Sequence, residues 1–245
     1  MKRNCILKIA LLALVMAISG GQTALSQETG EAGKPVPAET AKTDLDLSGV
    51  IAGLQENYKE VGSYKAGFEQ EIFSIKQGRV LSEASGTVIY KKPGKMVWRY
   101  EKPEEHLYIA SGNTIWDYSP KEKEVYVLPM KDALYKSFLL GLGNISEDFE
   151  VSFHSGRKMN SDGLYQLDLV PKNEAERETL GVITLYVDPE TFLVKKTQMT
   201  DSFGNRNRIA FKDMETNVEL ADAMFEFEPP PGVTVIRADE AAPME

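Results

Sequence analysis

The chain has little of the residues from which many catalytic and metal sites are built. Its 245 residues include one cysteine, Cys5, and two histidines. A single cysteine cannot form an intramolecular disulfide, and Cys5 falls in a leader that we expect to be removed. The mature chain would then hold no thiol for a nucleophile or a metal. Its stability must come from a packed core, which about 200 residues are enough to build.

Recognisable catalytic motifs are also missing. His106 and His154 fall on different predicted strands, and neither has a partner at metal-ligand spacing. There is no G-x-S-x-G, and "GLGNIS" at 141–146 lacks the third glycine of a dinucleotide-binding loop. We therefore expect no catalytic centre, no metal and no cofactor.

The N-terminal residues 1–26 have the pattern of a signal peptide. Lys2 and Arg3 precede an apolar run at 9–18, and Ala24 and Ser26 follow in A-x-S spacing. The apolar run is shorter than the ~20 residues that a membrane-spanning helix needs, so cleavage after Ser26 is favoured over an uncut anchor. Cys5 precedes the run and is not at the cleavage point, so it is not a lipoprotein's acylated cysteine.

Charge is unbalanced toward acid. The chain has 28 Lys and Arg against 37 Asp and Glu, for a net charge of −9. Three of the basic residues lie in the leader, which leaves 25 against 37 and a net charge of −12. Such a chain is a poor candidate for binding nucleic acid or an anionic membrane as a whole.

One domain, 45–236, lies between two segments without apolar periodicity. Residues 27–44 predict a disordered linker and residues 237–245 a flexible tail. The domain opens with an apolar stripe at helical spacing, from Leu47 to Val61, and Gly62 then predicts the helix end. After it the period changes to two, in short strands separated by turn residues, which predicts an antiparallel meander.

Between two groups of strands, residues 131–142 predict a short and very apolar helix. Leu134, Phe138 and Leu142 are its main apolar positions. We expect a fold that is mainly β with some α, in which an open antiparallel sheet of about ten to eleven strands carries helices against one apolar face.

Large aromatic residues concentrate in residues 96–129. Alternation puts Met96, Trp98 and Tyr100 on one face of a strand, and it groups Tyr108 with His106 and Trp116 with Tyr118 in the same way. Tyr64 and Phe68 share a face of the first strand. Large rings and methionine suit an irregular or open concavity, whereas pattern alone also allows them to pack as an ordinary core under the helices.

Four segments resemble the LolA family of periplasmic lipoprotein carriers. They are "FEQ" at 68–70, "KKPGKMVWRYEKP" at 91–103, "IASGNTIWDYSP" at 109–120 and "FEFEPPPGVTV" at 225–235. The resemblance covers roughly residues 47–236. It implies an open half-barrel with an apolar concave face, where acyl chains bind beneath capping helices.

The resemblance also implies roles for particular residues. Tyr64, Met96, Trp98 and Tyr108 match positions that line the family's concave face, and we expect Phe68 and Trp116 to join that acyl-chain-binding lining. Leu134, Phe138 and Leu142 fall in the lid segment. Lys92 stands where the family's best-known members have an arginine that holds the lid closed. Lysine lacks the planar fork of arginine, so a lid latch and a solvated strand-end lysine both remain open.

A periplasmic carrier is the function that the resemblance implies. It would take triacylated lipoproteins from an inner-membrane lipoprotein-releasing ABC transporter and pass them, as a monomer, to an outer-membrane receptor or to the outer membrane itself. The runner-up is a periplasmic module of the same fold that senses lipid or lipoprotein. An enzyme acting on lipids is disfavoured because no nucleophile motif was found.

Overall fold

A computed structural model describes residues 45–129 and 145–237 of the chain. Several predicted features lie outside the described residues: the signal peptide 1–26, the linker 27–44, the lid residues Leu134, Phe138 and Leu142, and the tail beyond 237.

The described residues form three α-helices and twelve β-strands. The helices are α1 (Leu47–Glu60), α2 (Ile145–Asp148) and α3 (Glu174–Leu180). The strands of the first group are β1 (Ser63–Ser74), β2 (Arg79–Lys91), β3 (Lys95–Lys102), β4 (His106–Ser111), β5 (Thr114–Ser119) and β6 (Glu124–Pro129). The remaining strands are β7 (Phe149–Phe153), β8 (Tyr165–Pro171), β9 (Val182–Val187), β10 (Val194–Thr200), β11 (Arg206–Thr216) and β12 (Thr234–Arg237).

All twelve strands belong to one open sheet. Their order is β12-β6-β5-β4-β3-β2-β1-β11-β10-β9-β8-β7, so β1 and β11 join two meanders at the centre. The predicted mainly β, open architecture is confirmed. The strand count is twelve because β12, which closes the chain as a separate edge strand, pairs with β6. That pairing is parallel, unlike the predicted antiparallel pattern, because a long connection carries the chain across the sheet before β12.

Helix α1 packs on one face of the sheet, which we call the inner face. The Asp46 carboxylate caps the helix by accepting a hydrogen bond from the Gly49 amide at 2.8 Å. Val50, Leu54 and Tyr58 are buried at helical spacing. The Tyr58 hydroxyl accepts a hydrogen bond from the Val194 amide at 3.3 Å, which ties the helix to β10. The predicted first helix is therefore present and covers the inner face.

The opposite face, the outer face, carries a second and smaller apolar cluster. Val97 and Ile109 pack there with Leu220 and Phe225. The last two belong to residues 217–227, which we call the strap because they cross the outer face between β11 and β12. Lys91 Nζ fastens the strap by donating to the Leu220 carbonyl at 2.7 Å and to the Asp222 carboxylate at 2.8 Å.

Candidate functional site

The inner face carries a buried layer of large side chains on the first meander. Across β1, β2 and β3, Tyr64 is opposite Tyr90, and Tyr90 is opposite Met96. Trp98 of β3 is opposite Tyr108 of β4. Tyr64, Phe68, Met96, Trp98 and Tyr108 are all buried in one cluster with the apolar side chains of α1. The structure therefore brings together five of the six predicted lining residues.

Phe68 is the centre of the aromatic layer. Its ring centroid lies 4.7 Å from that of Trp98 and 4.9 Å from that of Tyr100, both in edge-on geometry. The Trp98 ring centroid also lies 6.1 Å from that of Phe211 in β11, so the layer runs across the middle of the sheet. Val88 and Leu185, one from each meander, are buried in the same cluster. The inner face is thus one continuous apolar surface.

Gly86 allows two rings of this layer to meet. It stands in β2 between Phe68 of β1 and Tyr100 of β3. A Cβ atom at this position would lie 1.9 Å from the Arg99 carbonyl oxygen. No side chain fits there, so the two rings approach each other over the glycine backbone.

The tyrosines of the inner face are neutral phenols. Burial raises the pKa of Tyr64, Tyr100 and Tyr108 well above the ordinary value. In the part of the chain that the structure describes, the hydroxyls of Tyr64 and Tyr100 have no hydrogen-bond partner. The Trp98 indole N–H donates to Met96 Sδ at 2.8 Å. The layer therefore presents no charge near neutral pH, as an apolar ligand requires.

Two polar pairs border the aromatic layer, and the sequence did not indicate either pairing. Gln70 of β1 donates through Nε2 to the Asn207 side-chain oxygen at 3.0 Å, and both side chains are buried. His106 Nε2 lies 2.5 Å from Asp117 Oδ1, where Asp117 is opposite Tyr108. The members of these two pairs are 137 and 11 residues apart in the sequence, so no local spacing pattern predicts that they meet.

The predicted inner-face position of Trp116 is wrong. Trp116 is opposite Ile109 in the β4–β5 pairing, and it packs on the outer-face cluster with Ile109 and Val97. Ile115 and Asp117 occupy the inner side of β5 instead, because Ile115 pairs with Ala110 and Asp117 with Tyr108. Alternation gave the period of β5 but assigned its two faces the wrong way round.

Lys92 contacts the end of α1. Its Nζ donates to the carbonyls of Tyr58 at 3.1 Å and Lys59 at 2.6 Å, so its charge lies against the C-terminal end of the helix dipole. Burial lowers the pKa of Lys92. It is thus a bound lysine that secures the helix over the inner face. Whether it also holds residues 131–142 stays a prediction, since that segment lies outside the described residues.

The outer face has a groove of a different character. It has a volume of about 440 Å³, lies beside β1, β2 and β11, and is lined by charged residues of both signs that include Glu69, Glu71, Glu83, Lys102 and Arg208. Arg208 and Glu71 lie 3.7 Å apart there. Such a lining does not suit an acyl chain, so the inner face remains the candidate site.

Two further observations concern only the described ranges, 45–129 and 145–237. No three histidine or acidic side chains there stand close enough to hold a metal ion. None of the helices there has the length and apolar character needed to cross a membrane.

The structure thus defines a class of protein by its fold, an open sheet with a neutral aromatic inner face under a helix. Comparison with known families makes the class specific. Residues 59–228 match the family model described as "Outer membrane lipoprotein carrier protein LolA". The chain belongs to this family, and the predicted resemblance is confirmed.

Individual relatives agree with the family match. An outer-membrane lipoprotein carrier protein of Nitrosomonas europaea is 28% identical over 207 residues, covering 83% of this chain and 92% of the relative. One from Chromohalobacter salexigens is 31% identical over 202 residues, covering 81% and 90%. A crystal structure of an uncharacterized conserved protein from Thermus thermophilus shares the fold with a TM-score of 0.52 at 12% identity, covering 78% of this chain and 98% of that one.

Proposed function

We propose that this protein carries lipoproteins across the periplasm by holding their acyl chains against the inner face. The observation that supports the proposal most directly is the continuous, uncharged aromatic layer centred on Phe68 and Trp98. Membership of the LolA family supports the same cargo. The protein acts by binding and release, and no chemical step is part of the proposal.

The energetics of acyl chains explain why a carrier needs a cover. Burying one CH₂ is worth about 0.8 kcal/mol, so three long chains would reach tens of kcal/mol. Noncovalent affinity saturates near about −20 kcal/mol, and a carrier as tight as that would not release its cargo. Apolar helices that occupy the inner face when it is empty offset part of the gain. Helix α1 is buried there through Val50 and Leu54, and Leu134, Phe138 and Leu142 are proposed to act with it as a lid.

The proposed route starts at the inner membrane and ends at the outer one. An inner-membrane lipoprotein-releasing ABC transporter loads a triacylated lipoprotein, and the carrier passes it as a monomer to an outer-membrane receptor or to the outer membrane. The signal-peptide pattern of residues 1–26 supports export to the periplasm. The acidic composition supports a partner other than nucleic acid.

The direct test is a release and delivery assay. Inner-membrane vesicles that contain the loading transporter and a lipoprotein are incubated with ATP and the mature protein, and the soluble fraction is examined for lipoprotein. We expect soluble lipoprotein only when the carrier is present, followed by its transfer to outer-membrane vesicles. Binding without transfer would favour a sensing module, and no soluble lipoprotein would contradict the carrier role.

A further inference from the structure

Four exposed apolar side chains gather on two turns at one end of the sheet. The β1–β2 turn and the start of β2 carry Ile75, Val80 and Leu81, which are 53%, 37% and 44% exposed. The β10–β11 turn carries Phe203, which is 80% exposed. We call the residues 74–81 and 201–206 the tip. A soluble chain has no reason from its own packing to place a phenylalanine there, so the tip indicates a contact surface.

The two turns of the tip contact each other. The Ile75 amide donates to the Asn205 side-chain oxygen at 3.1 Å. The Asp201 carboxylate accepts from the amides of Phe203 and Asn205 at 2.9 and 2.8 Å, and it therefore holds the second turn in one shape. Phe203 is thus presented to solvent by a well-bonded turn. The hydrogen bonds of the turn therefore fix Phe203 in its exposed position.

The tip is basic, in contrast to the chain as a whole. Lys76, Arg79 and Arg206 lie on it, and Asp201 is its one carboxylate, so its net charge is about +2 in a chain of net charge −9. The Arg206 guanidinium lies over the Phe73 ring at 4.6 Å, next to the apolar side chains. Next to the tip, the positive charge of Arg208 is compensated by the carboxylate of its neighbour Glu71. Glu83 follows on β2.

We propose that the tip docks on a bilayer surface that contains anionic phospholipids. Phe203 and Ile75 would enter the boundary between headgroups and acyl chains, while Lys76, Arg79 and Arg206 would meet the phosphates. An acidic protein would be repelled in other orientations, so the tip would select one orientation on the membrane. The proposal goes beyond the carrier function and does not depend on it, because docking requires no cargo.

The test is co-sedimentation of the mature protein, residues 27–245, with lipid vesicles. We expect binding to vesicles of phosphatidylcholine mixed with phosphatidylglycerol, weaker binding to phosphatidylcholine alone, and loss of binding as salt is raised. Phe203→Ser should weaken binding about tenfold or more, as expected for removing one large apolar side chain from the interface. Lys76→Gln should weaken it by roughly fivefold.

Matched controls separate the tip from general effects. Met224 is also exposed, at 48%, but lies on the strap, so Met224→Ser should leave binding unchanged. Lys65→Gln removes a charge from an exposed position of β1 outside the tip and should likewise have little effect. If Met224→Ser and Phe203→Ser weaken binding equally, or if the wild-type protein does not bind mixed vesicles, the proposal is overturned.

A spectroscopic arm places the contact. Trp98 is fully buried and Trp116 is half-buried, so the exposed indole introduced by Phe203→Trp is measured as a difference from the emission of these two residues. We expect its emission to shift to shorter wavelength when mixed vesicles are added, and Met224→Trp to show no such shift. A different outcome would contradict the membrane proposal: the wild-type protein does not bind vesicles, and Phe203→Ser impairs only a protein-to-protein transfer step. The tip would then contact a protein.

Discussion

Val97 and Trp98 are neighbours in β3, yet their side chains serve opposite faces of the sheet. Trp98 is fully buried in the aromatic layer, whereas Val97 packs against Phe225 of the strap. Because strand side chains alternate, β3 and β4 each contribute to the proposed acyl-chain site with one set of residues and to the attachment of the strap with the other. Substitutions at adjacent positions should therefore have separable effects.

Trp98→Glu should abolish most binding of an apolar fluorescent probe or a fatty acid. A carboxylate in the aromatic layer is costly to desolvate, by roughly 1–3 kcal/mol or more, so we expect affinity to fall at least about tenfold. Titration of the probe by fluorescence measures this. Lys65→Glu, at an exposed position on the other face of β1, is the control. Circular dichroism checks that both variants are folded. Equal losses in the two would argue against a site on the inner face.

Lys92→Leu should favour the loaded state of the carrier. The substitution removes two hydrogen bonds to the end of α1, worth about 1–2 kcal/mol for a partly exposed charge, and adds apolar surface beside the inner face. Lipoprotein should be accepted but transferred poorly to outer-membrane vesicles, because release requires the empty, covered state to be the more stable one.

The matched variant for this position is Lys92→Arg, which keeps a charged donor near the same carbonyls. We expect its transfer to equal or exceed that of the wild type at the same loading. Unchanged transfer by Lys92→Leu would show that the contact with α1 does not control release.

At the scale of single elements, strand β2 depends on a glycine. Gly86→Ala would place a methyl group 1.9 Å from the Arg99 carbonyl, so β2 and β3 would have to separate. We expect the free energy of unfolding in urea to fall by at least about 2 kcal/mol. Gly67→Ala in β1 is the control, because its nearest neighbours would be 3.8 Å away, and we expect a change within roughly 0.5 kcal/mol. Similar losses in both would show that strand glycines matter here only for flexibility.

The elements differ in how far the sequence predicted them. Helix α1 and strands β1, β3 and β4 followed from apolar period, and their buried faces were predicted correctly. Strand β5 was assigned the wrong face because alternation gives a period but not the phase relative to the neighbouring strand. The usual expectation that a polar side chain faces solvent and an aromatic one faces the core also fails in this strand. The buried Asp117 faces inward with His106 as its partner, while Trp116 faces outward.

Other elements have no sequence pattern that would predict them. Strand β12 has four residues, and its pairing partner β6 is more than one hundred residues away along the chain. Helix α3, Glu174–Leu180, is short and largely polar, with an Asn173 cap that resembles an ordinary turn signal. Of the proposed site, five of the six expected lining residues followed from alternation and family resemblance, and Trp116 was the exception. The pairs Gln70–Asn207 and His106–Asp117 arise from register, which composition does not encode.

At the scale of the whole molecule, the described ranges 45–129 and 145–237 are held by two apolar layers on the two faces of one sheet. The inner layer joins both meanders beneath α1, and the strap packs a second layer against β3 and β4 on the outer face. Lys91 and Lys95 add charge contacts to the strap through Asp222, at 2.8 and 3.0 Å. Hydrogen bonding to these lysines lowers the pKa of Asp222. Since the two layers do not share side chains, stability and ligand affinity should be separable.

Phe225→Ala tests this separation. Phe225 is completely buried in the strap layer, so truncation should lower the free energy of unfolding in urea by about 3–5 kcal/mol. Hydrogen exchange should rise in 220–227 and in β12, which depends on the strap for its position. The folded protein should nevertheless bind an apolar probe with wild-type affinity, because the aromatic layer lies on the other face.

Met224→Ala, at the exposed neighbouring position, should change stability by no more than roughly 0.5 kcal/mol. A parallel loss of probe affinity in Phe225→Ala would show that the two layers are coupled through β3, and that the outer face also controls cargo binding.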